Sequence, residues 1–169
     1  VKPGPTHPVA GTALFFLAGP GLEAGLGPYL LARAAGGPAD WPVAARVAGV
    51  VLMVAGIVAL VGVFARFVAE GAGTPSPAAP ATRLILGGAY RHVRHPMYVA
   101  TAAVIVGEAL AFARPVLLVG AAAYCLTLAA LARFVEEPRL ARRFGPSYER
   151  YRRAVPGWRP RLRPWVPPH

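Results

Sequence analysis

At 169 residues the chain has room for one domain, and its composition, 56% hydrophobic and 15% charged with a mean hydropathy of +0.48, is too apolar for an ordinary soluble domain. A single cysteine, Cys125, excludes a disulfide framework, a paired-cysteine metal site and a redox motif, and no metal is expected. The net charge of +11 comes largely from the C-terminal tail; it suits anionic lipid head groups, at roughly 1 kcal/mol per basic residue near the surface, and not nucleic acid, for which no separate reading surface is left over.

Four apolar stretches read as spans, because a helix needs about 20 mostly apolar residues to cross the hydrocarbon core. The first, about Val9 to Ala35, is interrupted by Gly19-Pro20-Gly21 and Glu23, which predicts a kinked, broken or partly re-entrant segment. Lys2 is the lone basic residue before it and no small-residue cleavage site stands out, so this stretch is expected to be retained. The second, Val43 to Phe67, is the most regular, with Trp41 placed where an indole prefers the water interface. Gly49 and Gly56 on it, and Ala121 to Ala123 later, should let helices approach closely. A Gly/Pro/Ser/Ala linker, Gly71 to Pro80, follows.

The third stretch, Met97 to Ala113, is short and carries Glu108, and the fourth, Pro115 to Val135, returns after Arg114 as the second leg of an antiparallel hairpin. Two short amphipathic helices, Pro138 to Phe144 and Pro146 to Ala154, are expected beyond it, separated by Gly145. On the second of these Tyr148 and Tyr151 share a face and Glu149 is spaced to pair with Arg153. The tail is expected to lie on the bilayer and fold over the site, with Trp158 and Trp165 as interfacial anchors. The expected fold is thus all-α, a polytopic membrane helix bundle of four spans, or five if the first region divides, with short amphipathic C-terminal helices. It forms one integral-membrane domain over residues 1–169, with the first two spans in 1–70 and the chemistry in a hairpin and tail over 83–156.

Basic residues assign orientation, since Lys and Arg accumulate in cytoplasmic loops. Lys2, Arg66, Arg83, Arg91, Arg94 and the arginines from Arg133 to Arg163 fall on one side, which predicts a multi-pass protein of the cytoplasmic membrane with both termini and the site inside.

Polar chemistry is concentrated at that edge. Residues 90 to 98, Tyr-Arg-His-Val-Arg-His-Pro-Met-Tyr, open into the third stretch, and Glu136-Glu137 stands just past the fourth. Guanidinium groups, imidazoles, phenols and carboxylates at the ends of consecutive apolar helices suit a charged, aromatic ligand beside lipid. Pro96 fits the first turn of its helix, whose unpaired amides and partial positive charge favour a carboxylate, with Arg91, Arg94 or His95 adding to the attraction. The plainer readings are topogenic charges for Arg91, Arg94 and His95, a surface neighbour for His92, and packing for Tyr148 and Tyr151. For one of Glu136 and Glu137 it is a solvated pair with Arg139 or Arg143; Glu136 is favoured as the ligand. Glu108 is left without a role. Gly25-Leu26-Gly27 lacks the strand and third glycine of a dinucleotide fingerprint, which excludes a Rossmann-type domain.

The pattern G-x-Y-R-x-x-R-H-P-x-Y from Gly88 to Tyr98, followed by E-E-P-x-L-x-x-x-F-G-x-x-Y-x-x-Y-x-x-x-V-P from Glu136 to Pro156, resembles the isoprenylcysteine carboxyl methyltransferase family and, more distantly, phospholipid N-methyltransferases. The resemblance covers roughly the C-terminal half. It departs at Ala100, where the family usually has glycine. It implies an S-adenosylmethionine-dependent methyltransferase with a cofactor pocket formed by Arg83, Leu84, Ile85, Tyr90, His95, Pro96, Met97, Tyr98 and Glu136. By the same analogy Arg133 contacts the reacting group of a lipophilic membrane acceptor, expected to be a carboxylate. N-methylation of a phospholipid or small amine is the alternative, and a transporter or scaffold the non-enzymatic one. A transporter would place polar residues at midplane, whereas here they gather at one face. The acceptor and the oligomeric state are left open.

Overall fold

A computed structural model describes residues 17–34, 37–69 and 84–166, and among these the chain is helical, without strands. Helix α1 (Leu17–Leu26) is wound in wide π turns and continues directly as α2 (Gly27–Ala34). Helix α3 (Val43–Ala69) is followed by a 3-10 turn, Gly88–Arg91, then α4 (Pro96–Ala111) and α5 (Pro115–Leu131). A π turn, Ala132–Glu136, joins α5 to α6 (Glu137–Phe144), and α7 (Pro146–Ala154) ends the helical part. The linker expected at Gly71 to Pro80, Lys2, Arg83 and the start of the first apolar stretch lie outside the described residues.

The interruption expected at Gly19-Pro20-Gly21 takes the form of a widened helix. Proline has no amide to donate, so the ordinary ladder cannot pass through Pro20 unchanged, and the extra residue per turn of a π segment absorbs the defect. A second difference lies after the fourth stretch, which was expected to stop at Val135. The helical rod instead runs on from Pro115 to Phe144. Pro138 falls in the first turn of α6, where its missing amide costs little.

Among the described residues two helices are long and apolar enough to cross a bilayer, Val43–Arg66 with hydropathy 2.8 and Pro115–Phe144 with hydropathy 2.0. The expectation of four or five spans is met to that extent. Helix α4 has 16 residues, roughly 24 Å of rise against a hydrocarbon core of about 30 Å. The outer faces of the long helices carry Val47, Val51, Val54 and Val58 on α3 and Val119 and Leu126 on α5, all exposed. Spaced three, four or seven apart, these form apolar stripes that lipid solvates and water does not.

Glycine sets the α3/α4 contact. A Cβ on Gly107 would lie 2.6 Å from the Met53 amide nitrogen and 2.8 Å from the Gly49 carbonyl oxygen, so the two backbones touch where side chains would normally hold them apart. One on Gly56 would lie 2.9 Å from the Ala100 carbonyl oxygen. Ala100 is buried, with Gly56 supplying the missing volume opposite it. Leu60, Phe64, Ala100 and Val104 form the core there, flanked by Met53 and Met97. Of the three alanines expected to pack on α5, Ala121 is buried and Ala122 and Ala123 face outward. Past α6, Gly145 turns the chain at φ 52°, a conformation glycine adopts without a Cβ penalty. Tyr148, Tyr151 and Val155 then bury against Leu84, Leu86, Leu140, Phe144 and Trp165.

Candidate active site

The antiparallel α4/α5 hairpin returns the chain so that the start of α4 and the end of α5 meet. His95 caps α4 and is 5% exposed. Its Nδ1 lies 3.6 Å from Glu136 Oε2 and its Nε2 lies 3.3 Å from Glu137 Oε1, so a carboxylate stands at each ring nitrogen. The two blocks singled out in the sequence therefore converge on one imidazole.

The carboxylates differ in setting. Glu137 is buried and held by Arg94, whose Nη1 donates to Oε1, with Arg152 Nη1 4.0 Å from Oε2. The partners expected for a solvated glutamate here, Arg139 and Arg143, are not the ones it uses. Glu136, with 39% of its side chain exposed, accepts a hydrogen bond from the Tyr98 hydroxyl at 3.1 Å. Glu149 pairs with Arg152 at 3.5 Å, one residue short of the Arg153 expected.

Behind these groups the tail is zipped to the motif by main-chain bonds. The amides of Arg94 and His95 donate to Pro156 and Gly157 oxygens, and those of Arg161 and Trp165 donate to His92 and Arg91 oxygens. His92 belongs to the same seam, its Nδ1 2.8 Å from the Arg161 carbonyl oxygen, and is no mere surface neighbour. Tyr151 donates to the Tyr90 carbonyl at 2.8 Å. Burial holds the Tyr151 phenol well above the ordinary range, and burial and then Glu137 raise that of Tyr148, so both stay protonated, Tyr151 as a donor and Tyr148 as an acceptor from Arg94 Nη1.

Because the tail is pinned there, Trp158 lies over the site. Its ring centroid is 5.1 Å from that of His95 and 6.2 Å from that of Tyr98, in stacked arrangements. Trp165 packs on Tyr151 at 5.6 Å. Each indole expected as an interfacial anchor thus also has an aromatic partner inside the fold.

Two hollows share Trp158 as a wall. One, about 400 Å³, is lined by Arg94, Ala129, Ala132, Arg133, Glu137, Arg152 and Trp158. The other, about 160 Å³ and apolar, lies between α4 and α5 against Tyr98, Tyr124, Cys125, Leu128 and Trp158. Arg133 is exposed on the π turn and, among the described residues, has no carboxylate partner. Arg94 Nε is buried without an acceptor among them.

Of the residues expected to hold a cofactor, His95, Tyr98 and Glu136 come together here. Pro96 is buried in the first turn of α4. Ile85 is buried against Val63, with Tyr90 and Met97 beside it, and Leu84 packs in the tyrosine cluster. The side chains of Leu84, Ile85, Pro96 and Met97 pack within the fold, and of the described residues expected to hold the cofactor, His95, Tyr98 and Glu136 included, none lines the 400 Å³ cavity. Sequence reasoning missed Arg94's pairing with Glu137, Arg152 as a cavity residue, and Trp158. Trp158 carried a usable signal, an aromatic residue among prolines just past the second block.

The sequence model of a family described as phospholipid methyltransferase matches residues 44–147, from the first turn of α3 into α7. No curated protein and no solved structure matches the chain.

Proposed function

Because the chain belongs to the phospholipid methyltransferase family of membrane methyltransferases, with S-adenosylmethionine implied as methyl donor, we propose that it methylates a carboxylate on a lipophilic acceptor. The carrying observation is Arg133, a guanidinium without a carboxylate partner among the described residues, on the wall of the cavity beside His95 and Glu137. An arginine there orients an anionic nucleophile without taking its proton.

The residues present suit the polar groups of the donor's amino-acid and ribose ends. A cavity of about 400 Å³ falls among small-molecule sites. Glu136, next to the lining residue Glu137 and not itself in the lining, keeps an oxygen for ribose hydroxyls or an ammonium, and the buried Arg94 Nε and neighbouring guanidinium groups suit a carboxylate. S-adenosylmethionine, when bound, supplies an electrophilic methyl group on a sulfonium. The protein's part is to hold two reactants in line and exclude water, with Tyr98 fixing Glu136 and Trp158 covering the site. The acceptor reaches it laterally from the bilayer between α4 and α5. The basic residues clustered at this end support a cytoplasmic orientation.

N-methylation of a phospholipid amine is the second reading, favoured by the description of the matching family. Purified protein incubated with methyl-labelled S-adenosylmethionine and extracted lipids distinguishes the two. Base-labile label in the lipid phase, released as methanol, marks an ester; base-stable label marks the amine. No label transfer together with no calorimetric heat on adding the cofactor would remove both.

A further inference from the structure

The 400 Å³ cavity poses an electrostatic problem for a sulfonium donor. Its charged lining consists of Arg94, Arg133 and Arg152 against a single carboxylate, Glu137, which Arg94 and Arg152 already engage. A positively charged sulfur placed at random there would meet net repulsion. Trp158 is the one aromatic group in this lining, and an indole face attracts a cation through its quadrupole without carrying charge.

Trp158 is also unusually well fixed for a residue 40% exposed. It stacks on His95 and Tyr98, which are themselves parallel within 10° at 5.6 Å. The preceding residue, Gly157, accepts from the His95 amide at 3.2 Å. A Cβ on Gly157 would lie 3.2 Å from Arg94 Nη2, so the tail passes tightly over the arginine. Finally, the same indole bounds the apolar hollow between α4 and α5, whose lining includes the exposed Cys125. A lipid chain seated in that hollow and a donor in the polar cavity would have one side chain in common.

Resting on the methyltransferase reading above, we propose that Trp158 is a donor-positioning residue. Its face holds the sulfonium end of S-adenosylmethionine at the wall shared with the acceptor's apolar hollow, so that the transferable methyl group is presented there.

Binding alone tests this, using the full chain in detergent and equilibrium dialysis with S-adenosylmethionine and with S-adenosylhomocysteine, a thioether that lacks the sulfonium charge. Replacing Trp158 by Ala should weaken the sulfonium compound about tenfold more than the neutral one, as expected for a desolvated cation–π contact. Trp158→Phe should keep at least half of that charge discrimination on the same energy scale. Indole emission should be quenched by either compound in the parent and lose that response in Trp158→Phe, although Trp41 and Trp165 remain. Equal weakening of both compounds in Trp158→Ala, or an unchanged quench in Trp158→Phe, overturns the proposal while leaving the methyltransferase reading intact. Failure of the parent to bind either compound overturns both.

Discussion

Glu136 and Glu137 are neighbours in sequence yet occupy opposite sides of the His95 ring, at 3.6 Å and 3.3 Å from its two nitrogens. The π turn before them and the start of α6 set that divergence, and it separates a half-exposed carboxylate from a buried one. The two should respond differently to removal of charge. Glu137→Gln leaves Arg94 without its buried counter-charge and should cost about 3 kcal/mol of stability, read as a lowered midpoint of thermal unfolding in detergent. Glu136→Gln should leave the midpoint nearly unchanged and weaken S-adenosylmethionine at least tenfold. The reverse order would mean that their roles are exchanged.

Tyr98→Phe removes the hydroxyl that fixes Glu136 but keeps the ring stacked on His95 and Trp158. Losing a hydrogen bond to a charged acceptor, worth about 1.5 kcal/mol or more, should weaken cofactor binding by about tenfold in a calorimetric titration. No change would detach Tyr98 from the site.

Arg133→Ala should retain cofactor affinity within about threefold and lose at least a hundredfold in turnover, since its proposed partner is the acceptor. Arg133→Lys should recover part of the rate, keeping the charge but not the planar fork. Parallel loss of binding and turnover in Arg133→Ala would reassign it to the cofactor.

His92→Ala should free one point of the seam that ties the tail to the motif. Cleavage by trypsin at the Arg161–Leu162 bond should then accelerate several-fold, while cofactor affinity falls less than in His95→Ala. An unaltered digestion rate would show that the main-chain bonds alone hold the tail.

Gly107→Leu should prevent α3 and α4 from closing, because even a Cβ there comes within 2.6 Å of backbone. The expected cost is about 3 kcal/mol or more, the upper end for overpacked sites, seen as loss of monodisperse protein on solubilisation. Gly62→Ala, where a Cβ meets nothing within 4 Å, should be neutral and serves as the control.

Helicity, the hairpin and the meeting of the motif with Glu136 were legible from residue order, because they depend on short-range rules. An apolar run of sufficient length must form its hydrogen bonds within itself, a proline starts a helix more readily than it continues one, and a short connection makes consecutive helices antiparallel. Gly49 and Gly56 showed the close helix contact for a similar reason, since the absence of a side chain is already visible in the sequence. Leu84, Ile85, Pro96 and Met97, by contrast, were expected at the cofactor only through the family resemblance, and their side chains pack within the fold; a resemblance cannot separate those uses. The unequal burial of Glu136 and Glu137, the place of Arg152, and the passage of Trp158 over His95 were decided by tertiary structure alone. Each depends on where a turn of helix or a returning tail lies in space: one residue of π winding rotates a side chain by a large fraction of a turn, and main-chain bonds between residues some 60 to 75 positions apart leave no mark on composition or spacing.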